Sequence, residues 1–413
     1  MDEERLASKP LVSAVATSLR DVGDDRNERT STGVAELDRV LGGGLVAGST
    51  TLLFGEPGVG KSTLALMALR ELALAGSSVV LIAAEESASQ VARRARRFGE
   101  IPAGLQVCAT TNVDVAEELL TSLRPALCVV DSISAMSDES LASVAGSVPQ
   151  VRHSAERLCS VAKSLGVALV LVGHVTKDGE LAGPRTLEHL VDTVIRIEGD
   201  RYGTLRFIRA LKHRFGATGE VGLLEMVNEG LRELPDAGVA LRGPQLSVPG
   251  VVYCVTNDGS RSMLVELQAL VASSSGSPRR VAHQVSSQRL ALLLAVLESR
   301  CAVDTSGADV FAATAGGLPA NEPGVDVALA LAVASASLDF AVARTLAAVG
   351  EVGLAGELRG VSGLTRRVRE AQRLGATSII VPEEGELEEV AGIRVLRCRS
   401  LVQAIGVARS DTL

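Results

Sequence analysis

Thr51-Leu52-Leu53-Phe54-Gly55-Glu56-Pro57-Gly58-Val59-Gly60-Lys61-Ser62-Thr63 sets an apolar, β-like run against a glycine-rich loop closed by Lys and Ser, and a helical pattern follows from Lys61 to about Ala75. Strand, loop and helix in that order form the Walker A (P-loop) arrangement. The glycines let backbone N–H groups curl around phosphate oxygens, and the helix N-terminus adds its partial positive charge. Lys61 is expected to reach the β- and γ-phosphates of ATP and Ser62 to ligate Mg²⁺, with Thr63 supporting the same turn. Gly55, Glu56, Pro57, Gly58, Val59 and Gly60 make up the rest of the expected nucleotide cradle. A glycine-rich turn without a ligand would need neither the Lys-Ser pair nor the full spacing.

Downstream, the β-like runs Val79–Ala84, Leu127–Val130 and Val167–Val172 alternate with helical patterns reaching Phe98 and covering Val151–Ser164. Such alternation predicts a parallel sheet with helices on both faces. Asp131 ends an apolar strand and suits a Walker B carboxylate, holding the Mg²⁺ shell through Ser62 or water; an ordinary strand-ending Asp is the alternative. Glu85-Glu86 follow another strand, at the carboxyl edge where α/β sheets gather ligands. Glu85 is the expected general base and Glu86 its neighbour or cap, against a competing reading of both as an acidic helix start. The sequence does not separate the two. His174 is expected to sense the γ-phosphate, or else simply to end its strand.

With 413 residues the chain exceeds one ordinary core, and two domains are expected. Pro and Gly punctuation near Leu234-Pro235-Asp236 and Arg242-Gly243-Pro244 places the boundary, giving an acidic leader at 1–29, an ATPase domain at 30–238 and a second α/β domain at 245–413. Only 2% of residues are aromatic, so the cores must be built from Ala, Val and Leu, and stacking platforms for bases are scarce. A net charge of −8 argues against a general basic coat without excluding a local basic channel. Six cysteines occur without a C-x-x-C pair, which predicts neither a disulfide framework nor a zinc site and fits a reducing cytoplasm. The apolar stretches near Leu290–Leu297 and Val325–Leu338 are too short to span a membrane and read as buried helices.

Around the P-loop the wider text resembles the bacterial RadA (Sms) family. Ser31-Thr32-Gly33 and Glu36-Leu37-Asp38-Arg39-Val40-Leu41-Gly42-Gly43-Gly44-Leu45 precede the loop. Gly173-His174-Val175-Thr176-Lys177-Asp178-Gly179, Ala182-Gly183-Pro184-Arg185, Leu187-Glu188-His189 and Val191-Asp192-Thr193 follow in the family's order, and Lys212-His213-Arg214-Phe215-Gly216 is similar to its K-N-R-F-G signature. The resemblance runs over residues 30 to 405. It implies a RecA-like P-loop ATPase followed by a Lon-protease-like α/β domain. It also implies a hexameric ring that moves on single-stranded or branched DNA and extends recombination intermediates formed by RecA. Lys212 and Arg214 would then reach a neighbouring subunit's nucleotide, with His213 departing from the signature Asn. The loops of RecA-like motors fall at Met136–Arg152 and Lys177–Arg185, where Arg152, Lys177 and Arg185 are expected to contact DNA phosphates. The dense cluster Arg93, Arg94, Arg96 and Arg97 reads instead as a solvated helix face. The family usually begins with a four-cysteine zinc finger, and with no cysteine before Cys108 no zinc is expected.

The Lon-like segment departs further. Gly324 stands where the nucleophilic Ser should precede a helix, and Thr365 stands where the catalytic Lys should be, so peptide hydrolysis is not expected. Arg366, Arg367 and Arg369 are expected to line a DNA surface or subunit contact, or to be solvated. The leading expectation is a DNA-stimulated ATPase with helicase or branch-migration activity. The alternative is a KaiC-like, partner-switching ATPase that does not act on DNA.

Overall fold

The computed structural model describes residues 28–174, 184–199, 203–234, 248–274 and 276–410. The acidic leader, apart from its last two residues, lies outside them. The first sheet has nine strands: β1 (Thr50–Gly55), β2 (Val79–Ala83), β3 (Leu105–Ala109), β4 (Leu127–Asp131), β5 (Ala168–His174), β6 (Thr193–Gly199), β7 (Leu205–His213), β8 (Val221–Val227) and β9 (Gly230–Glu233). Their order is β9-β8-β7-β6-β1-β5-β4-β2-β3. From β6 to β3 every pairing is parallel, while β7, β8 and β9 extend the sheet antiparallel, a mixed edge that the strand runs alone did not announce.

The inner strands are buried on both faces, as parallel strands between helical layers must be. Leu53, Leu81 and Val129 pack with Leu64, Leu69 and Leu72 of α2 (Lys61–Leu74) and with Leu37 and Val40 of α1 (Ala35–Val40). Phe54, Ile82 and Val130 face the opposite way, onto Leu120 of α4 (Val113–Leu123) and Leu158 of α5 (Val148–Leu165). Between the two, α3 (Ala88–Ala95) is opened by a capping box in which Ser87 and Gln90 exchange hydrogen bonds. Both β3 and α4 went unpredicted: β3 is half-exposed along its length, without an apolar run to mark it.

The second sheet runs through β10 (Val251–Asp258), β11 (Arg261–Ser273), β12 (Arg280–His283), β13 (Ala308–Thr314), β14 (Leu346–Ala348), β15 (Ser378–Pro382) and β16 (Arg394–Cys398), in the order β12-β13-β11-β10-β14-β15-β16. One face carries α6 (Ser287–Cys301), α7 (Asp326–Ser337) and α9 (Leu401–Ser410), and the other carries α8 (Leu364–Arg373). The two apolar stretches expected to be buried helices are α6 and α7. Small side chains let α7 be buried all round from Asp326 to Ser335, which a bulkier helix at the sheet's centre could not be. Among the described residues no helix is long and apolar enough to cross a membrane.

The tip of the β10–β11 hairpin is driven into the first sheet. Ser260 N–H donates to Gly219 O at 2.6 Å, and Asp258 forms a bidentate pair with Arg209 of β7. Arg261 pairs with Glu36 of α1, their side chains 8% and 3% exposed, and also donates to Leu234 O at 3.0 Å. Glu36 in turn accepts Leu223 N–H at 2.7 Å, so its carboxylate is satisfied from both sheets. Breaking a buried pair leaves an uncompensated charge inside. Arg261→Ala is therefore expected to lower stability by about 3–5 kcal/mol in urea denaturation, and a loss below about 1 kcal/mol would show the pair to be energetically idle.

Candidate functional site

Register alone assembles the site. Gly55 at the end of β1 lies opposite His174 of β5, Val172 of β5 lies opposite Asp131, and Asp131 lies opposite Ala83, two residues before Glu85. Four adjacent parallel strands thus deliver Gly55, His174, Asp131 and Glu85 to one carboxyl edge. The expected P-loop sits there. Glu56, Pro57 and Gly58 are exposed and Val59 is buried, and Gly60 adopts φ +112°, a left-handed N-cap that a Cβ would strain. Lys61, 4% exposed, donates from Nζ to Gly55 O at 2.9 Å and Glu56 O at 3.0 Å. Burial lowers its pKa, and the charges of Asp131 and Glu85 oppose that shift, which puts both carboxylates within electrostatic reach of the ammonium. Arg206 of β7 braces the loop by donating to Val59 O at 3.0 Å, a support without any signature in the sequence.

The structure separates the two glutamates. Glu85 accepts a short hydrogen bond from Ser132 and lies 3.4 Å from His174 Nε2. Glu86 turns aside to Arg94, 2.9 Å away. Arg94 also approaches Asp131 at 3.9 Å, and its Nε is buried without a hydrogen-bond partner. The cleft over the P-loop is lined by Gly58, Gly60, Lys61, Ser62 and Thr63 together with Arg94, Arg97, Phe98, His174, Met226 and Gly230. The reading of the arginine cluster as a solvated face holds for Arg93, Arg96 and Arg97, which are exposed, Arg97 at the edge of the cleft; it is corrected for Arg94, which is half-buried and faces the cleft. Ser132, Arg94 and Met226 were missed because each reaches the site by folding and none belongs to a spaced motif.

Lys212, His213 and Arg214 lie at the opposite end of the sheet. His213 pairs with Thr193, whose β6 partner on β1 is Thr51, whereas the loop leaves β1 at Gly55 beside Ile197. They therefore stand away from this chain's own phosphate site. Lys212 Nζ donates to Glu188 O at 2.7 Å and Val191 O at 2.8 Å, and Arg214 pairs with Asp192 at 3.0 Å while staying largely exposed. His213 is buried between Leu41 O, 3.1 Å from Nε2, and the Thr193 hydroxyl, 2.9 Å from Nδ1. A carbonyl only accepts, so Nε2 carries a proton, and in the neutral ring Nδ1 accepts from the Thr193 hydroxyl. An Asn amide offers the same donor and acceptor.

Arg152 is exposed on α5 and pairs with Glu156 at 2.8 Å. The loop before it is tied down by Asp138, whose carboxylate takes Arg157 at 2.7 Å and His153 at 3.0 Å while Gln150 bonds its backbone. Lys177 lies outside the described residues, as does the side chain of Arg185.

In the short turn just before α7, Gly324 is buried, and a Cβ there would come within 2.7 Å of Arg367 Nη1. Arg367 is fully buried, pairs with Glu322 at 2.5 and 2.7 Å and donates to Val255 O at 2.7 Å. It cannot share an exposed arginine face with Arg366 and Arg369, which corrects that expectation. Arg369 is exposed and pairs with Glu388, and Thr365 Oγ1 accepts Glu388 N–H at 3.1 Å.

The KaiC ATPase family profile matches residues 30–101, and the profile of the Lon protease (S16) C-terminal proteolytic domain matches residues 305–396. The DNA repair protein RadA of Mycolicibacterium smegmatis (strain ATCC 700084 / mc(2)155) is 43% identical over 410 residues, covering 98% of this chain and 87% of the relative. RadA of Pseudomonas aeruginosa is 43% identical over 391 residues, 94% of this chain and 86% of the relative. RadA of Bacillus subtilis (strain 168) is 41% identical over 356 residues, 86% and 78% respectively. Among solved structures, a KaiC-like protein from Pyrococcus horikoshii OT3 aligns at a TM-score of 0.43 with 21% identity, over 50% of this chain and 99% of that protein.

Burial lowers the pKa of His213 from its ordinary 6.5, with the Leu41 carbonyl opposing and the nearby Arg29 charge adding to the shift. Below that ordinary value the unfolded chain binds a proton that the folded chain resists, so stability falls as pH drops, by at most about 1.4 kcal/mol per pH unit. His213→Asn is expected to remove this part of the acid sensitivity. Urea midpoints at pH 7.5 and 5.5 check it, and an equal acid loss in both proteins would show that His213 is not responsible.

Proposed function

The chain belongs to the RadA family of DNA repair proteins, and on that premise we propose that its ATPase core drives movement on single-stranded or branched DNA, extending recombination intermediates made by RecA. The observation that carries the reading is the meeting of Lys61, Asp131, Glu85 and His174 at one carboxyl edge over the P-loop cleft. P-loop backbone amides and Lys61 hold the β- and γ-phosphates of ATP. Ser62 would ligate Mg²⁺ and Asp131 would hold its shell, and the ion, when bound, would supply charge neutralisation at the phosphates. Glu85, oriented by Ser132, takes the proton of the attacking water, and His174 beside it reports the γ-phosphate to the segment that follows β5.

Lys212 and Arg214, displaced from their own chain's loop, serve the nucleotide of a neighbour in a ring, a hexamer in this reading. Arg152, Lys177 and Arg185 contact DNA phosphates without reading sequence. The 30–238 and 245–413 division gives a motor and a Lon-like domain that does not cleave peptides. Arg367 occupies the space that a side chain at 324 would enter, and Thr365 offers no amine base.

Lys61→Ala is expected to abolish ATP turnover. Glu85→Gln should lower kcat by roughly 10²–10⁴-fold and Glu86→Gln by less than about 10-fold. Steady-state turnover with and without single-stranded DNA measures all three, with a branch-migration substrate in parallel. A larger loss in Glu86→Gln would reverse the roles of the glutamates. Turnover indifferent to DNA, without nucleotide-dependent DNA binding, would favour the partner-switching ATPase.

A further inference from the structure

Behind the general base, on the side away from the phosphates, stands a second serine that the mechanism above leaves unused. Glu85 leaves its strand with a side chain nearly half exposed, so packing alone does not hold its carboxylate in one rotamer. Its contacts fall on one oxygen: Ser132 donates to Oε1, and His174 Nε2 lies 3.4 Å from the same atom. Ser132 is fully buried, and its hydroxyl also lies 2.7 Å from that of Ser134. A serine carries a single O–H, and an ionised carboxylate only accepts. The Ser132 proton is therefore committed to Glu85, and Ser134 must be the donor between the two hydroxyls. The three residues form a chain with one direction, from Ser134 through Ser132 to Glu85. Its far end is placed by the core. Ser134 sits in the single helical turn Ile133–Ala135 that follows β4, between Ile133 and Met136, and both of these are buried in the cluster shared by α4 and α5. Ala135 N–H donates to Ser132 O and Met136 N–H to Ile133 O, each at 3.2 Å, which closes the turn.

We propose that Ser134 is a positioning residue for ATP hydrolysis: through Ser132 it holds Oε1 of Glu85 and so presents the other carboxylate oxygen, Oε2, to the attacking water. The proposal rests on the reading of Glu85 as general base and adds what fixes its aim. A hydroxyl that accepts one hydrogen bond donates the next more strongly, so Ser134 tightens the grip of Ser132 without touching the carboxylate. The described residues that line the cleft include neither serine. Loss of Ser134 should accordingly appear in the rate of hydrolysis and not in the binding of nucleotide.

The test separates positioning from support. Steady-state turnover of ATP with Mg²⁺, and ATP binding by calorimetry, would be measured on the full chain and on Ser134→Ala, Ser134→Thr, Glu85→Gln and the double variant Ser134→Ala with Glu85→Gln. Ser134→Ala is expected to lower kcat by roughly 10-fold, with KM and Kd for ATP moved by less than about 2-fold. Ser134→Thr keeps the hydroxyl and should return kcat to within about 3-fold of the unaltered chain. In the Glu85→Gln background Ser134→Ala should cost nothing further, because no carboxylate base is left to aim. An unchanged kcat in Ser134→Ala, or the same loss on both backgrounds, would overturn the proposal. A loss shared by Kd would overturn it too, marking Ser134 as structural support for the site. Full turnover in Glu85→Gln alone would instead overturn the general-base reading, and the role of Ser134 with it.

Discussion

The parallel pairing of β1 with β5, and of β5 with β4 and β2, is the constraint on which the rest of the site depends. Parallel strands point all their carboxyl ends one way, so the residues that leave the sheet there are collected without any local interaction between them. A one-residue slip in any of these pairings would turn that strand's buried side chains to the other face, and close packing against helical layers on both sides resists it. The precision of Gly55, Asp131, His174 and Glu85 is therefore secured by leucines and valines that touch no ligand.

That division of labour explains what could be read in advance. The P-loop, Asp131 and the acidic pair announce themselves because their chemistry demands fixed residue types next to strand ends. The buried helices α6 and α7 were visible as apolar runs for the same local reason. What escaped reading depends on non-local geometry. How the two glutamates part is decided by Arg94 of α3, which draws Glu86 aside, and by Ser132 after β4, which bonds Glu85. Arg206 and Met226 reach the loop from the antiparallel extension, whose Leu205–Leu211 run reads as a strand but whose pairing no local pattern announces. Arg94 was misread because an amphipathic helix shows how many charges it has and not which of them its neighbours will neutralise.

Arg367 makes the same point in the second sheet. From sequence it is one of several arginines on a polar helix, yet it is buried completely, with Glu322, Val255 O and Ser362 O meeting its donors. A buried guanidinium persists only where its partners are in place. The glycine at 324 is part of that arrangement, because a side chain there would collide with the cation.

The hairpin tip pressed between Glu36 and Arg209 has a consequence for modularity. The chain reads as two units joined end to end, but the seam is ionic, with the Arg261–Glu36 pair buried and the Arg209–Asp258 pair partly exposed. Cutting between the sheets would leave Glu36 without its arginine on one fragment and Arg261 and Asp258 without their partners on the other. The surface of each half is in this way shaped around the charges of the other.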